Sequence, residues 1–272
     1  MLKTRFITAI ILLPLLILII LFLPARLFSI VAGLFILLGA FEWSVLSGIQ
    51  NNIVKVFYTI IVALGLLLSA WIPILIIFSL ALGFWIWIAF AIFVYEKNKQ
   101  GNHAVGFQFR FVRIVSGFFI FIATWTSWIF LKSEATLGPK WLIYIIMIIV
   151  SADVGAYFSG RFFGKKYLSP RVSPKKTWEG FYGGMILACL VAVIGNLFFN
   201  LSVLQHACFI ILSIVCALFS VIGDLGVSLL KRFSGVKDAG RIFPGHGGML
   251  DRLDSVAAAT VIFALGILLC NL

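Results

Sequence analysis

Residues 204–233 read LQHACFIILSIVCALFSVIGDLGVSLLKRF, and this stretch decides the fold. Its apolar part is longer than the roughly 20 residues a helix needs to cross a bilayer. It ends on the basic pair Lys231-Arg232, and it carries one carboxylate, Asp224, inside the apolar run. Seven residues at 1.5 Å each put Asp224 about 10 Å inside the edge marked by Lys231. A charge at that depth costs a few kcal/mol unless it faces a polar cavity, a cation or a partner. The stretch therefore reads as a membrane helix with chemistry near one end. The plain alternative is a structural ion pair with a neighbouring lysine or arginine.

The rest of the chain agrees with a lipid environment. Of 272 residues, 63% are hydrophobic and only 11% are charged, against about 25% charged in soluble domains. The mean hydropathy is +1.18. The 28 phenylalanines follow from lipid-facing helices and indicate no aromatic site. A net charge of +12 suggests nucleic acid in a soluble protein; here it reads as basic loops on one side of a membrane. Cys189, Cys208, Cys216 and Cys270 lie in apolar runs without metal-ligand spacing and read as small apolar fillers.

Nine apolar runs are long enough to span, near 6–23, 28–47, 56–71, 74–95, 114–131, 141–158, 181–200, 204–229 and 255–271. The first lacks a small-residue cleavage site and is read as a helix rather than a signal peptide. With the N-terminus inside and the spans alternating, 18 of the 21 Lys and Arg fall on the inner side. That bias predicts an all-α polytopic membrane protein of about nine helices, with a cytoplasmic N-terminus and an external C-terminus. Residues 1–140 read as scaffold. Residues 141–272 read as the catalytic region, with cytoplasmic loops 159–180 and 231–254.

The acids are sparse and clustered. Six of the nine, including all five aspartates, lie between Asp153 and Asp254. Asp153 sits eight residues before Arg161, about 12 Å deep by the same rise. Asp251 and Asp254 are three apart at the start of the last span, so they share one helical face about 5–6 Å apart. The helix dipole explains one acid there more comfortably than two. Hard oxygens near basic groups suit Mg²⁺ bound together with substrate phosphates. An aspartate from each of two helices around one or two cations explains both depth and pairing.

Both catalytic-half loops are rich in glycine and basic residues: SPKKTWEG (Ser173–Gly180) and KRFSGVKDAGRIFPGHGG (Lys231–Gly248). Each reads as a phosphate cradle, with backbone N–H groups approaching an anion and Lys or Arg supplying countercharge. Neither is a Walker loop, and no GxGxxG occurs. His246 reads as a phosphate donor or a loop partner rather than a general base.

The stretch Ser228–Asp254 resembles the signature of the phosphatidate cytidylyltransferases, also called CDP-diacylglycerol synthases. The positions that carry the likeness are Ser228, Lys231, Arg232, Lys237, Asp238, His246, Gly247, Gly248, Asp251, Arg252 and Asp254. DVGAYFSGRFFGK and SPKKTWEG resemble further blocks of that family. The resemblance covers about 150–255 and is generic before that. It implies transfer of a cytidylyl group from CTP to phosphatidate, with Mg²⁺ and pyrophosphate release, in an integral membrane homodimer. The active site is expected on the cytoplasmic face, which for a bacterium is the inner membrane. It implies Asp224, Asp251 and Asp254 as metal ligands, with a second cation left open, and Lys231 and Arg232 at the reacting phosphates. Substrate contacts are expected from Ser173, Lys175, Lys176, Thr177, Ser228, Lys237, Asp238, Arg241, His246, Gly247, Gly248 and Arg252. Asp153 and Glu179 are expected to support the metal or to bind the nucleotide. No nucleic-acid role is expected. A transporter of anionic lipid is the rival reading, but the polar residues lie in one half and on one face. Another membrane phosphotransferase fits less well, because Asp251-Arg-Leu-Asp254 has the wrong spacing and surroundings.

Overall fold

The computed structural model describes residues 14–98, 104–134, 137–199, 201–236, 239–240 and 247–272. Of the residues singled out above, Lys237, Asp238, Arg241 and His246 lie outside the described residues. The described part of a first helix, α1, covers residues 14–22. There follow α2 (Ala25–Leu46), α3 (Asn52–Leu68) with a 3-10 turn at Ser69–Trp71, α4 (Ile74–Lys97), α5 (Arg110–Ser133) and α6 (Gly138–Phe163). A short hairpin, β1 (Tyr167–Ser169) and β2 (Ser173–Thr177), leads to α7 (Trp178–Asn196), α8 (Val203–Ser234) and α9 (Leu250–Cys270).

Among the described residues, α2 to α9 are the eight helices long and apolar enough to cross a membrane. Each coincides with one expected span. The remaining expected span, 6–23, begins outside the described residues, and its described part is helical. Local chemistry sets the helix ends. Asn51 accepts from Ile53 N–H at 2.8 Å and caps α3. Ser202 and Gln205 form a reciprocal capping box on α8, which satisfies two N–H groups that the helix itself cannot. Gly235 ends α8 at φ +69°, a left-handed turn that favours glycine.

The bundle packs through small residues, as expected where lipid offers no hydrophobic drive between helices. A Cβ on Gly184 of α7 would come 2.6 Å from the Ala152 carbonyl of α6. One on Gly223 of α8 would come 2.3 Å from the Asp254 carbonyl of α9. Helix α9 is central, with 67% of its apolar window buried, whereas α7 is peripheral at 22%.

The segments expected on the inner side meet at one end. Ser234 Oγ of α8 donates to the Leu46 carbonyl of α2, and Trp43 Nε1 donates to the Arg113 carbonyl of α5 at 2.7 Å. The centre of the loop 159–180 is the antiparallel hairpin, with Tyr167 opposite Thr177 and Ser169 opposite Ser173. Glu96, at the end of α4, pins the hairpin turn. It accepts from Ser169 Oγ at 2.6 Å, Arg171 N–H at 3.0 Å and Val172 N–H at 2.9 Å. Arg171 returns the contact by donating to the Tyr95 and Asn98 carbonyls and stacking 4.3 Å from the Tyr95 ring.

Candidate active site

Asp224 faces the seam between α8 and the hairpin. One oxygen pairs with Lys176 Nζ of β2 at 2.5 Å. The other accepts from Ser228 Oγ, one turn on, at 3.3 Å. The plain expectation of an ion pair is thus met by a lysine from the other basic loop. The pair still forms a charged centre, because Asp224 also lies within electrostatic reach of Asp153, Asp254 and Lys231. Asp254 is half-buried on α9; one of its oxygens accepts from Ser255 N–H at 2.7 Å. Asp153 is exposed along α6 and within reach of Lys176 and Arg252.

Asp251 does something different from what its spacing suggested. One oxygen pairs with Lys231 Nζ at 2.8 Å. The other accepts from Gly248 N–H at 2.9 Å and Ala239 N–H at 3.1 Å. It is the knot that folds the glycine loop onto the start of α9. Asp224 on α8 and Asp254 on α9 thus lie within electrostatic reach of each other, while Asp251 turns toward the loop. Among the described residues, no three of His, Cys, Asp and Glu stand close enough to ligate one ion.

The largest addition to the sequence reading is Glu42. It lies in α2, inside the half read as scaffold, and is 5% exposed. Its two oxygens accept from Met249 N–H at 3.1 Å and Leu250 N–H at 2.7 Å. The start of α9 has no side-chain cap of its own, so Glu42 caps it from another helix. This explains two glycines. A Cβ on Gly240 would come 2.1 Å from Glu42 Oε1, and one on Gly248 would come 2.3 Å from Oε2. Gly247 is fixed twice over, by φ +81° and by Asp251 Oδ2 at 2.3 Å from its would-be Cβ. The first donors of α9, from Gly248, Met249 and Leu250, are thus given to the chain's own carboxylates. The phosphate cradle expected there from Gly247 and Gly248 is not built from these groups.

Other expected contacts are also engaged within the protein. Thr177 Oγ1 accepts from Gly180 N–H at 3.1 Å and caps α7. Glu179 accepts from the N–H groups of Lys165 at 3.0 Å and Lys166 at 3.2 Å. Arg232 Nε donates to the Val172 carbonyl at 2.8 Å, which ties α8 to the hairpin turn. Ser173 stands in the strand ladder opposite Ser169. The site gathers Lys176, Asp224, Ser228, Lys231, Gly248 and Asp251 by direct contact, and Asp153, Arg252 and Asp254 by charge. Sequence reasoning missed Glu42 and Glu96. The signal for Glu42 was present, since it is an acid inside an apolar run like Asp224; nothing in the sequence pointed to its partner. Beside Lys176 a cavity of about 380 Å³ opens between α6, α7 and the hairpin, lined by Asp153, Arg161, Lys175 and Thr177 among others.

A charged seam at one end of a membrane bundle is a site in search of a reaction, and the chain's relatives narrow the choice. The profile of the cytidylyltransferase family matches residues 3–270. The chain belongs to that family. A phosphatidate cytidylyltransferase of Pseudomonas aeruginosa is 35% identical over 267 residues, covering 97% of this chain and 96% of the relative. One of Haemophilus influenzae is 49% identical over 126 residues, 45% of this chain and 44% of its own. One of Bacillus subtilis is 43% identical over 118 residues, 43% and 44% respectively. The family match spans scaffold and charged seam alike, so Glu42 and Asp251 fall within one matched unit.

Proposed function

We propose that the chain transfers a cytidylyl group from CTP to phosphatidate, giving CDP-diacylglycerol and pyrophosphate. The observation that carries the reading is the α8–α9 seam, where Asp224 and Asp254 lie under Lys176 and Lys231 at one end of a membrane bundle. The phosphatidate oxygen attacks the α-phosphorus of CTP, and the bond to the pyrophosphate oxygen breaks. A phosphate monoester has a second pKa near 6, so the nucleophile is already ionised at neutral pH. No general base is required, and none is assigned to His246. The difficulty is repulsion between two polyanions. Lys176 and Lys231, paired with Asp224 and Asp251, are placed to meet the phosphates.

The donor chemistry suits a divalent cation. Asp224 and Asp254 offer hard oxygens across the seam, and an incomplete protein ligand set is normal for Mg²⁺ held together with nucleotide phosphates. Such an ion, when bound, would neutralise charge on the phosphates. Asp251, expected as a third ligand, has both oxygens engaged and on this reading positions Lys231. In support of a cytoplasmic site, the seam lies at the end where the basic loops gather, and CTP is a cytoplasmic nucleotide. A homodimer remains part of the proposal through family resemblance. The transporter reading loses ground because Asp224, Asp251 and Asp254 are grouped with Lys176 and Lys231 near one end of the bundle.

The test is a single assay. Purified protein with labelled CTP, phosphatidate and Mg²⁺ should place cytidine label in the organic phase, and chelation should stop it. Label that stays aqueous under all conditions refutes the reaction; label transfer unaffected by chelation refutes the metal.

A further inference from the structure

The sequence reads all four cysteines as apolar fillers, yet the fold separates them. Cys216 is buried within α8, and Cys189 is half-buried on α7. Cys208 of α8 and Cys270 of α9 are also half-buried, and both lie at the end of the α8–α9 pair away from the seam. Sixteen residues separate Cys208 from Asp224, roughly 24 Å along one helix.

The two helices run antiparallel, and close contacts fix their register. A Cβ on Gly266 of α9 would collide with Leu212 Cδ1 of α8. One turn further out, four residues back along α8 and four on along α9, come Cys208 and Cys270. Their side chains lie within reach of each other. Just beyond them, Gln205 Nε2 donates to the Asn271 carbonyl at 2.8 Å and closes the pair of helices. The two thiols thus stand between two fixed contacts, on helices whose register is held from both sides. Two half-buried side chains at a helix end are open to a reagent, which the buried Cys216 is not.

The compartment matters as much as the contact. Of the 21 Lys and Arg, only Arg26, Lys132 and Lys140 fall on the side where the basic bias expects the end of α9. That is the outer side, and outside the inner membrane of a bacterium thiol pairs meet oxidants.

We propose that Cys208 and Cys270 form a disulfide that staples α8 to α9 at the outer face. The oxidant is a protein disulfide of the thiol-exchange class. The Cys270 thiolate attacks one of its sulfurs, giving a mixed disulfide, and the Cys208 thiolate then attacks the Cys270 sulfur. The pair gives up two protons and two electrons, and the carrier leaves as a dithiol. The bond joins positions 62 apart and constrains the unfolded chain accordingly. It is independent of the reaction proposed above, because it involves no residue of the seam.

The experiment reads the bond directly. Bacterial membranes holding the full chain are treated with N-ethylmaleimide, denatured and digested with trypsin. Cutting between Lys231 and Arg252 leaves the fragment from Leu253 onward attached to the α8 fragment only through a disulfide. Mass spectrometry should find the two linked, dithiothreitol should part them, and Cys208→Ala should abolish the link while Cys216→Ala and Cys189→Ala leave it. In detergent, the oxidised protein should unfold several degrees higher than the reduced one, a difference that Cys208→Ala removes. Maleimide on both Cys208 and Cys270 in untreated membranes overturns the proposal. So does a link that appears only after copper-phenanthroline is added, which shows nearness without a natural bond. A link through Cys189 or Cys216, or equal unfolding temperatures for the two forms, also overturns it.

Discussion

Two helix pairs, α6–α7 and α8–α9, are joined by the same device and end in opposite states. Both cross on glycine, at Gly155 and Gly184 in the first and at Gly223 in the second. In the α8–α9 pair the space gained is filled with charge that the protein itself answers: Asp224 by Lys176 and Asp251 by Lys231. In the α6–α7 pair the space stays open as a cavity, where Arg161 and Lys175 have no acidic partner among the described residues. Close packing permits both outcomes. Depth in the bundle separates them, because α9 is central and α7 peripheral. A charge on a buried helix has to be paired where it lies, whereas a charge at an open rim can wait for a ligand.

The sharpest way to break this contrast is to remove the charge that anchors the seam. Asp224→Asn keeps the shape and loses the anion. Cytidylyl transfer should fall on the order of a thousandfold, the scale of losing charge stabilisation of a phosphoryl centre. The label-transfer assay checks it on protein with an unchanged gel-filtration profile. A loss no greater than that of Lys175→Ala would erase the distinction between seam and cavity.

The next effect is structural in origin. Glu42→Ala strips two N–H groups of a charged acceptor and should cost about 3 kcal/mol, read as a lower unfolding temperature in detergent. Activity should fall by roughly tenfold because the start of α9 carries Asp251 and, through it, Lys231. Glu42→Gln retains one acceptor oxygen and should lose less on both measures. An Ala variant that melts lower with full kcat would leave Glu42 a stability element only.

The hairpin links the two pairs, since β2 carries both Lys175 and Lys176. Glu96→Gln weakens its anchor at Ser169, Arg171 and Val172. Trypsin should then cut after Arg171 or Lys175 several times faster than in the wild type. Unchanged cleavage would show that the Arg232 contact to Val172 suffices to hold the hairpin.

The contrast also explains what could be read from the sequence. The spans were legible because bilayer thickness demands long apolar runs, and the loops that the basic bias groups on one side meet at one end of the bundle. Asp224 and Asp251 were legible as unusual residues because charge is rare in such a chain. Their partners were not. Lys176 lies 48 positions from Asp224 and Glu42 lies 207 from Met249, and no periodicity spans such distances. Glycine was read as room for a phosphate, yet at Gly240 and Gly248 the room is taken by Glu42. Composition announces that an anion is near a glycine; only the fold says whose anion it is. The hairpin was hidden for a related reason, since its short strands depend on Glu96 from a distant helix rather than on their own alternation.

The smallest test concerns Thr177, which lines the open cavity but spends its oxygen on the α7 cap. If that is its whole role, Thr177→Ala should lower stability by about 1 kcal/mol, the usual loss for an N-cap, and Thr177→Ser should restore it. Neither change should move the KM for phosphatidate or CTP by more than twofold, because the hydroxyl already serves Gly180 N–H. A clear KM effect shared by both variants would make Thr177 a ligand contact as well as a cap. The division between answered and waiting charge would then have to include the cap itself.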